Sequence, residues 1–130
     1  MSERTHTRKY AEAQVVVALQ DFTLWMLKHT NRFPKNWRVT LGDKIDNLLL
    51  DMLASVQRAS VRHDKRTLLQ QVNEDLHVFR ALLRIAVELG CLGSRQYEYA
   101  SARVEEIGRQ IGGWLKQQGA RHANLEKPVS

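Results

Sequence analysis

The sequence predicts an all-α protein, an antiparallel up-and-down four-helix bundle, and three observations support this fold class. Four segments repeat apolar residues at helical spacing, the connections between them are short, and the chain has only two prolines and seven glycines. Its 130 residues suit one domain with a core that needs neither disulfides nor metals. We therefore expect the bundle to span residues 10–118, between a flexible basic arm at 1–9 and a flexible tail at 119–130.

The first two predicted helices span about residues 10–31 and 41–59. Pro34 ends the first helix, because a proline disfavours the helical conformation of the residue before it. Thr40 is the expected N-cap of the second helix, and Asp43 places a carboxylate in its first turn. The apolar face of the first helix consists of Val15, Leu19, Phe22 and Met26.

The third helix is predicted over about residues 65–89 and the fourth over 95–118. Asp64 is the candidate N-cap of the third helix, and Gly90 ends it because glycine adopts the left-handed conformation that commonly follows a helix. Ser94 is the expected N-cap of the fourth helix. The core positions of this last helix are Tyr97, Ala100, Val104, Ile107, Ile111 and Trp114.

The third helix carries two adjacent apolar stripes, which together cover about 200° of its circumference. The first stripe, which we expect in the core, consists of Val72, Leu76, Phe79, Leu83 and Ala86. The second stripe consists of Val78, Leu82, Ile85 and Leu89. It requires either a very central helix or a second subunit, because monomers seldom expose large apolar patches. We favour a homo-oligomer with this stripe in its interface.

Gly108, Gly112 and Gly113 lie within the predicted fourth helix, where each costs about 1 kcal/mol relative to alanine. Gly108 and Gly112 are four residues apart and therefore share a face. The favoured explanation is close approach of another helix, from the same subunit or a neighbour, so both glycines join the expected oligomer interface. The alternative is a kink or an early helix end at the glycine pair.

Basic residues exceed acidic ones by 20 to 14, giving a formal net charge of +6. Such a balance favours partners that carry phosphates or carboxylates. Phosphate contacts are expected to give RNA and DNA binding without marked sequence preference. The candidate contacts lie in the N-terminal arm and in two connections: Arg4, Arg8, Lys9, Arg32, Lys35, Arg38, Arg58, Arg62, Lys65 and Arg66.

Arg80 and Arg84 project from one side of the third helix, because they are four residues apart. They form a candidate site for a phosphate or carboxylate of a partner. On charge patterning alone, the favoured alternative is a solvated face on which Arg84 pairs with Glu88.

No pattern of catalytic residues is apparent in the sequence. It has no glycine-rich phosphate loop, no HExxH and no CxxC, and the five histidines show no metal-ligand spacing. Cys91 is the single cysteine, which excludes an intramolecular disulfide and favours a buried filler over a nucleophile. We expect no enzyme, no cofactor and no metal. Neither a signal peptide nor an uncharged apolar run of about 18 residues is apparent, so no membrane association is expected.

Three segments resemble a known protein family. They are FPKNWRVTLGDKI at 33–45, DLHVFRALLRIAVELGCL at 75–92 and QYEYASARVEEIGRQIGGWLKQ at 96–117. The sequence is similar over about residues 14–118 to the accessory variability determinant (Avd) proteins of diversity-generating retroelements. These belong to a wider group of bacterial four-helix bundle proteins, which includes proteins encoded by 23S ribosomal RNA intervening sequences.

The resemblance implies a non-catalytic accessory subunit that forms a five-subunit barrel. It would act with the reverse transcriptase of the element, its template-repeat RNA and its cDNA in adenine-targeted mutagenic retrohoming, in bacterial cytoplasm. Arg38, Arg80, Arg84 and Arg109 match family positions, whereas Phe79 stands where leucine is typical. The alternatives are a 23S-intervening-sequence type of bundle protein with a structural or unknown role, and a generic oligomeric structural protein.

Overall fold

The computed structural model describes the backbone of residues 2–126 and the side chains of residues 11–119. Over this range the chain is all-helical and contains no strand. A short helix, α2 (Lys35–Trp37), and a π-helical turn (Arg38–Gly42) connect the first two long helices. The four long helices are α1 (Ser2–Thr30), α3 (Asp43–Val61), α4 (Arg66–Glu88) and α5 (Ser94–Glu126).

The long helices form a four-helix bundle, which confirms the predicted fold class. α3 packs against α1 and α4, and α5 packs against α4 and α1, so each helix contacts two neighbours around a common core. The connections from α3 to α4 and from α4 to α5 are only four and five residues long, and the longer connection from α1 to α3 is the compact segment 31–42, so consecutive long helices run antiparallel. The predicted apolar face of α1 and the first stripe of α4 are both buried in this core.

The outer helices are longer than the sequence predicted. α1 begins at Ser2, so residues 2–9, the expected arm, are helical. No glycine or proline interrupts them, and extending an existing helix costs far less than nucleating one. α5 continues past the expected end at residue 118 to Glu126. Gly119 does not stop it, because Gly90 is the one residue of the described backbone with a positive φ.

Two predicted N-caps are wrong, because in both places the helical conformation begins before the residue that the sequence predicted. Thr40 lies inside the helical path that starts at Lys35, and its hydroxyl donates back to the Trp37 carbonyl at 3.5 Å. Ser94 is the first residue of α5, and the Gly93 N–H that precedes it donates to Gln96 Oε1 at 3.0 Å. The glutamine side chain therefore caps α5 from within, as in a capping box.

The end of α4 follows the sequence prediction, whereas its start lies one residue later. The helix begins at Arg66, and its N-cap is Lys65 and not the predicted Asp64. Asp64 Oδ1 accepts the backbone N–H of Arg66 at 3.3 Å, at the start of the helix. Gly90 has a φ of 75°, and the next N–H, of Cys91, donates to the Ala86 carbonyl at 2.8 Å. This is a Schellman-type ending, which satisfies a carbonyl of the last turn and requires the left-handed residue.

A buried hydroxyl joins the end of α1 to the start of α3. Thr30 Oγ1 donates to Asp46 Oδ1 at 2.6 Å. Burial raises the pKa of Asp46 above its ordinary value, and neighbouring Asp43 raises it further, whereas the hydrogen bond from Thr30 lowers it. The raised pKa means that ionisation of this carboxyl group is less favourable in the folded protein than in the unfolded chain.

We predict that Asp46→Asn stabilises the protein at pH 7. When the pKa of a carboxyl group is higher in the folded than in the unfolded state, the protonated group favours folding at low pH. This stabilisation is lost as the pH rises through the folded-state pKa, so the ionised group lowers the stability at pH 7. Asparagine resembles the neutral form and still accepts the Thr30 hydroxyl. The gain over the wild type should therefore shrink as the pH falls through the raised folded-state pKa, and it should be lost below pH 3.8, the ordinary pKa of the group.

Urea denaturation at pH 7 and in acid measures this difference. Asp51→Asn, at an exposed position of α3, serves as the control for loss of one negative charge. A gain for Asp46→Asn that is equal at both pH values would contradict the prediction.

Candidate partner and nucleic-acid interface

Arg80 and Arg84 lie on α4 beside its buried stripe. Because Phe79 and Leu83 are buried, the helical rotation places the two arginines at the edge of the core, where Arg80 is half-buried and Arg84 exposed. Among the described side chains, neither guanidinium makes an ion pair or a hydrogen bond, and the alternative pair of Arg84 with Glu88 is not formed. The two cations are thus available to an anionic group of a partner.

Gly108 of α5 provides the space in which the Arg80 side chain lies. A Cβ atom at this position would lie 2.7 Å from Arg80 Nη2 and 3.9 Å from Leu76 Cδ1. The close approach predicted for this glycine therefore occurs within the subunit, and its partner is a side chain. The sequence could not identify Arg80 as that partner, because the two residues lie on different helices.

Gly112 and Gly113 have no such neighbour. A Cβ atom at either position would meet nothing within 4 Å, and both residues are exposed. An early helix end at this pair is excluded, since α5 continues through it. The assignment of Gly112 to an oligomer interface remains a prediction.

The second apolar stripe of α4 faces away from the core. Val78, Ile85 and Leu89 are 44%, 46% and 38% exposed, whereas Leu82 is half-buried and packs against the core. The alternative in which α4 is central enough to bury both stripes is therefore wrong. The exposed residues form an apolar strip along a helix that also carries the arginine pair.

The connection between α1 and α3 exposes Arg32, Lys35 and Arg38 at one end of the bundle. Arg38 has a structural role as well, because its Nε and Nη2 donate to the Phe33 carbonyl at 3.4 and 3.3 Å. The neighbouring Trp37 is 38% exposed. Sequence analysis missed this indole as a surface feature, because an aromatic residue beside a helix normally enters the core.

The predicted basic cluster at 58–66 divides into two kinds of residue. Arg58, Arg62 and Arg66 are exposed at the opposite end of the bundle. Lys65 instead forms an ion pair with Glu12 at 3.2 Å, and its ammonium lies 5.2 Å from the centre of the Trp114 ring. This side chain therefore links α1, α4 and α5. Its contact with nucleic acid remains a prediction.

The remaining candidate contacts with nucleic acid lie on α5 and in the N-terminal segment. Arg109 is exposed on α5 beside Gly108. Arg4, Arg8 and Lys9 lie outside the residues whose side chains are described.

A groove of about 520 Å³ lies between α1 and α5. Its charged lining consists of Asp21, Arg103 and Glu106, and Arg103 pairs with Glu106 at 3.1 Å. Trp25 and Tyr99 pack at its end with ring centres 4.7 Å apart. With two carboxylates and one paired arginine, this groove does not suit a phosphate.

Among the described residues, no group of three or more histidine, cysteine or acidic side chains could hold a metal ion. Cys91 is half-buried, and burial raises the pKa of its thiol, which disfavours the nucleophilic thiolate. No described helix is both long and apolar enough to cross a bilayer.

Comparison with known proteins adds a family assignment to this geometry. A family model described as bAvd-like matches residues 13–118, which include most of α1 and all of α3 and α4. The comparison with curated proteins gives no match. Since the matched model covers well over half of the chain, the protein belongs to the bAvd-like family of accessory variability determinants.

Proposed function

We propose that this protein is a non-catalytic accessory subunit of a diversity-generating retroelement, which binds the reverse transcriptase of the element together with RNA and cDNA. The binding would support adenine-targeted mutagenic retrohoming, with all chemistry performed by the polymerase. Membership of the bAvd-like family supports an accessory role and association with such a polymerase. The observation that carries the proposal is the pair Arg80 and Arg84, which has no acidic partner among the described side chains.

The chemistry of this pair fits a partner better than a purely structural role. A guanidinium presents several N–H donors in a planar fork, so it can hold a carboxylate or phosphate through two parallel hydrogen bonds. The two side chains lie one helical turn apart, and a single acidic segment or phosphate backbone can reach both. The alternative 23S-intervening-sequence type of bundle protein is disfavoured, because the matching model is bAvd-like.

We further propose that the subunits assemble into a ring of five, with the exposed stripe of α4 in the interface. Val78, Ile85 and Leu89 would lose their exposed apolar surface to a neighbouring subunit, which is favourable in proportion to the area buried. The arginine pair lies on the other side of the same helix, towards α5, where Arg80 meets Gly108. Assembly would therefore leave the pair accessible to another partner.

The first prediction from the proposed function concerns assembly. Ile85→Asp should dissociate the oligomer, because a carboxylate would be placed without a partner in an apolar interface. Ile85 is preferred to Leu82, which contacts the core of its own subunit and would report on folding instead. Light scattering at micromolar concentration gives the mass. Leu24→Asp is the matched control, since Leu24 is 57% exposed on α1. A wild-type monomer at all concentrations would exclude the ring.

The second prediction concerns the arginine pair. Arg80→Ala with Arg84→Ala should weaken binding of the reverse transcriptase or RNA by about 10- to 150-fold per lost charge-assisted contact, while helicity and mass remain unchanged. Pull-down of the cognate polymerase measures the effect, with circular dichroism alongside. Arg95→Ala with Arg103→Ala removes two charges elsewhere and serves as the control. Undiminished binding by an intact fold would reject the proposed role.

The third prediction concerns the glycine beside Arg80. Gly108→Ala should move the guanidinium, because the new Cβ would lie 2.7 Å from its Nη2. The end of a flexible side chain moves cheaply, and α5 gains up to about 1 kcal/mol from the alanine, so the fold should persist. Partner binding should nevertheless fall. Gly112→Ala, on the same helix but in open space, is the matched control and should leave binding intact.

A double-variant comparison separates direct from indirect effects. If Gly108 acts through Arg80, Gly108→Ala should cause no further loss of binding in an Arg80→Ala background. Equal losses in both backgrounds would show that Gly108 affects binding by another route.

A further inference from the structure

Trp37 is an exposed residue whose indole makes no ring-stacking or cation–π contact with the described side chains. The residue is 38% exposed. The other two tryptophans are engaged: Trp25 stacks on His29 with ring centres 3.9 Å apart, and Trp114 is buried beneath Lys65. An exposed indole leaves a large apolar surface in contact with water, which is unfavourable in free energy. The Trp37 indole therefore suits a ligand that presents a flat apolar face.

The backbone around Trp37 is fixed in place. Its N–H donates to the Pro34 carbonyl at 2.9 Å, and its carbonyl accepts the Thr40 hydroxyl at 3.5 Å. Phe33 is fully buried, and the Arg38 guanidinium is bound to its carbonyl. A ligand would thus meet an indole whose main chain is already ordered, which reduces the entropy lost on binding.

The sequence around Trp37 is basic. Residues 22–42 contain two lysines and two arginines but no acidic residue. Lys28 and Arg38 line a groove that also contains Asp43 and Asp46, which offset their charge. Arg32 and Lys35 are exposed and do not line that groove, so they are the cations close to Trp37 in the sequence that remain for a phosphate.

From this combination we infer that Trp37 stacks on an unpaired base of single-stranded RNA or DNA, while Arg32 and Lys35 contact the adjacent phosphates. Proteins that bind single strands combine cations along the backbone with aromatic side chains on which bases stack. A duplex does not present its base faces, so Trp37 distinguishes single strands from double strands. The inference rests on the proposed nucleic-acid binding and adds a residue and a strand preference to it.

The test compares single-stranded oligouridylate with an RNA duplex of the same length. The full chain is titrated against each by fluorescence anisotropy over a range of salt concentrations. Trp37→Ala should weaken single-strand binding by about 5- to 150-fold at every salt concentration, because base stacking is lost and phosphate contacts remain. Duplex binding should stay unchanged, and Trp37→Phe should retain most of the single-strand affinity. Quenching of the intrinsic fluorescence by oligouridylate should disappear with Trp37→Ala.

Two further variants separate stacking from charge. Lys35→Ala should reduce the slope of log affinity against log salt by about 0.7 on single strands, because one phosphate contact is lost. Tyr99→Ala is the matched control for an aromatic residue, since Tyr99 is 46% exposed on α5. The affinity of Tyr99→Ala for both the single-stranded and the duplex probe should equal that of the wild type.

Each remaining outcome overturns a specific claim. If the wild type binds neither probe, the proposed nucleic-acid function fails. If it binds but Trp37→Ala retains full single-strand affinity, the stacking inference alone fails. Equal losses on both probes, or a changed mass or helicity, would make Trp37 structural. Reduced polymerase pull-down with unchanged oligonucleotide affinity would identify a protein contact and also overturn the inference.

Discussion

Burial of one apolar stripe of α4 is the interaction on which the rest of the structure depends. α4 packs against both α3 and α5, and its buried residues Leu76, Phe79 and Leu83 fix the rotation of the helix about its axis. Since successive residues are separated by about 100°, that rotation determines the direction of every other side chain on α4. It places Arg80 against α5 and leaves Ile85 exposed on the opposite side.

The same constraint gives one helix three uses. One side supplies the core, a second presents two arginines that pair with no described side chain, and a third exposes an apolar strip. In a small bundle a helix between two neighbours still has about half of its circumference outside the core. The proposed self-association and the proposed partner binding would therefore use two separate faces of α4, provided that its rotation is fixed.

The cations of the molecule differ in function because their surroundings differ. Lys65 is held by Glu12 and Trp114, and Arg38 by a backbone carbonyl, so both help to fix the fold. Arg84 makes no comparable interaction among the described residues. A positive net charge alone gives general attraction to polyanions. The specific contacts depend on which cations remain unpaired after folding.

The sequence by itself determined the four helices, the face that each buries and the end of α4 at Gly90, because these follow from local periodicity and from the left-handed conformation of one glycine. It also carried the family resemblance that the match over residues 13–118 confirms. Tertiary structure alone decided that Gly108 lies beside Arg80, that Lys65 pairs with Glu12 and that Trp37 stays exposed. These are relations between residues distant along the chain, or between a residue and solvent, and helical periodicity contains no information about which helices become neighbours.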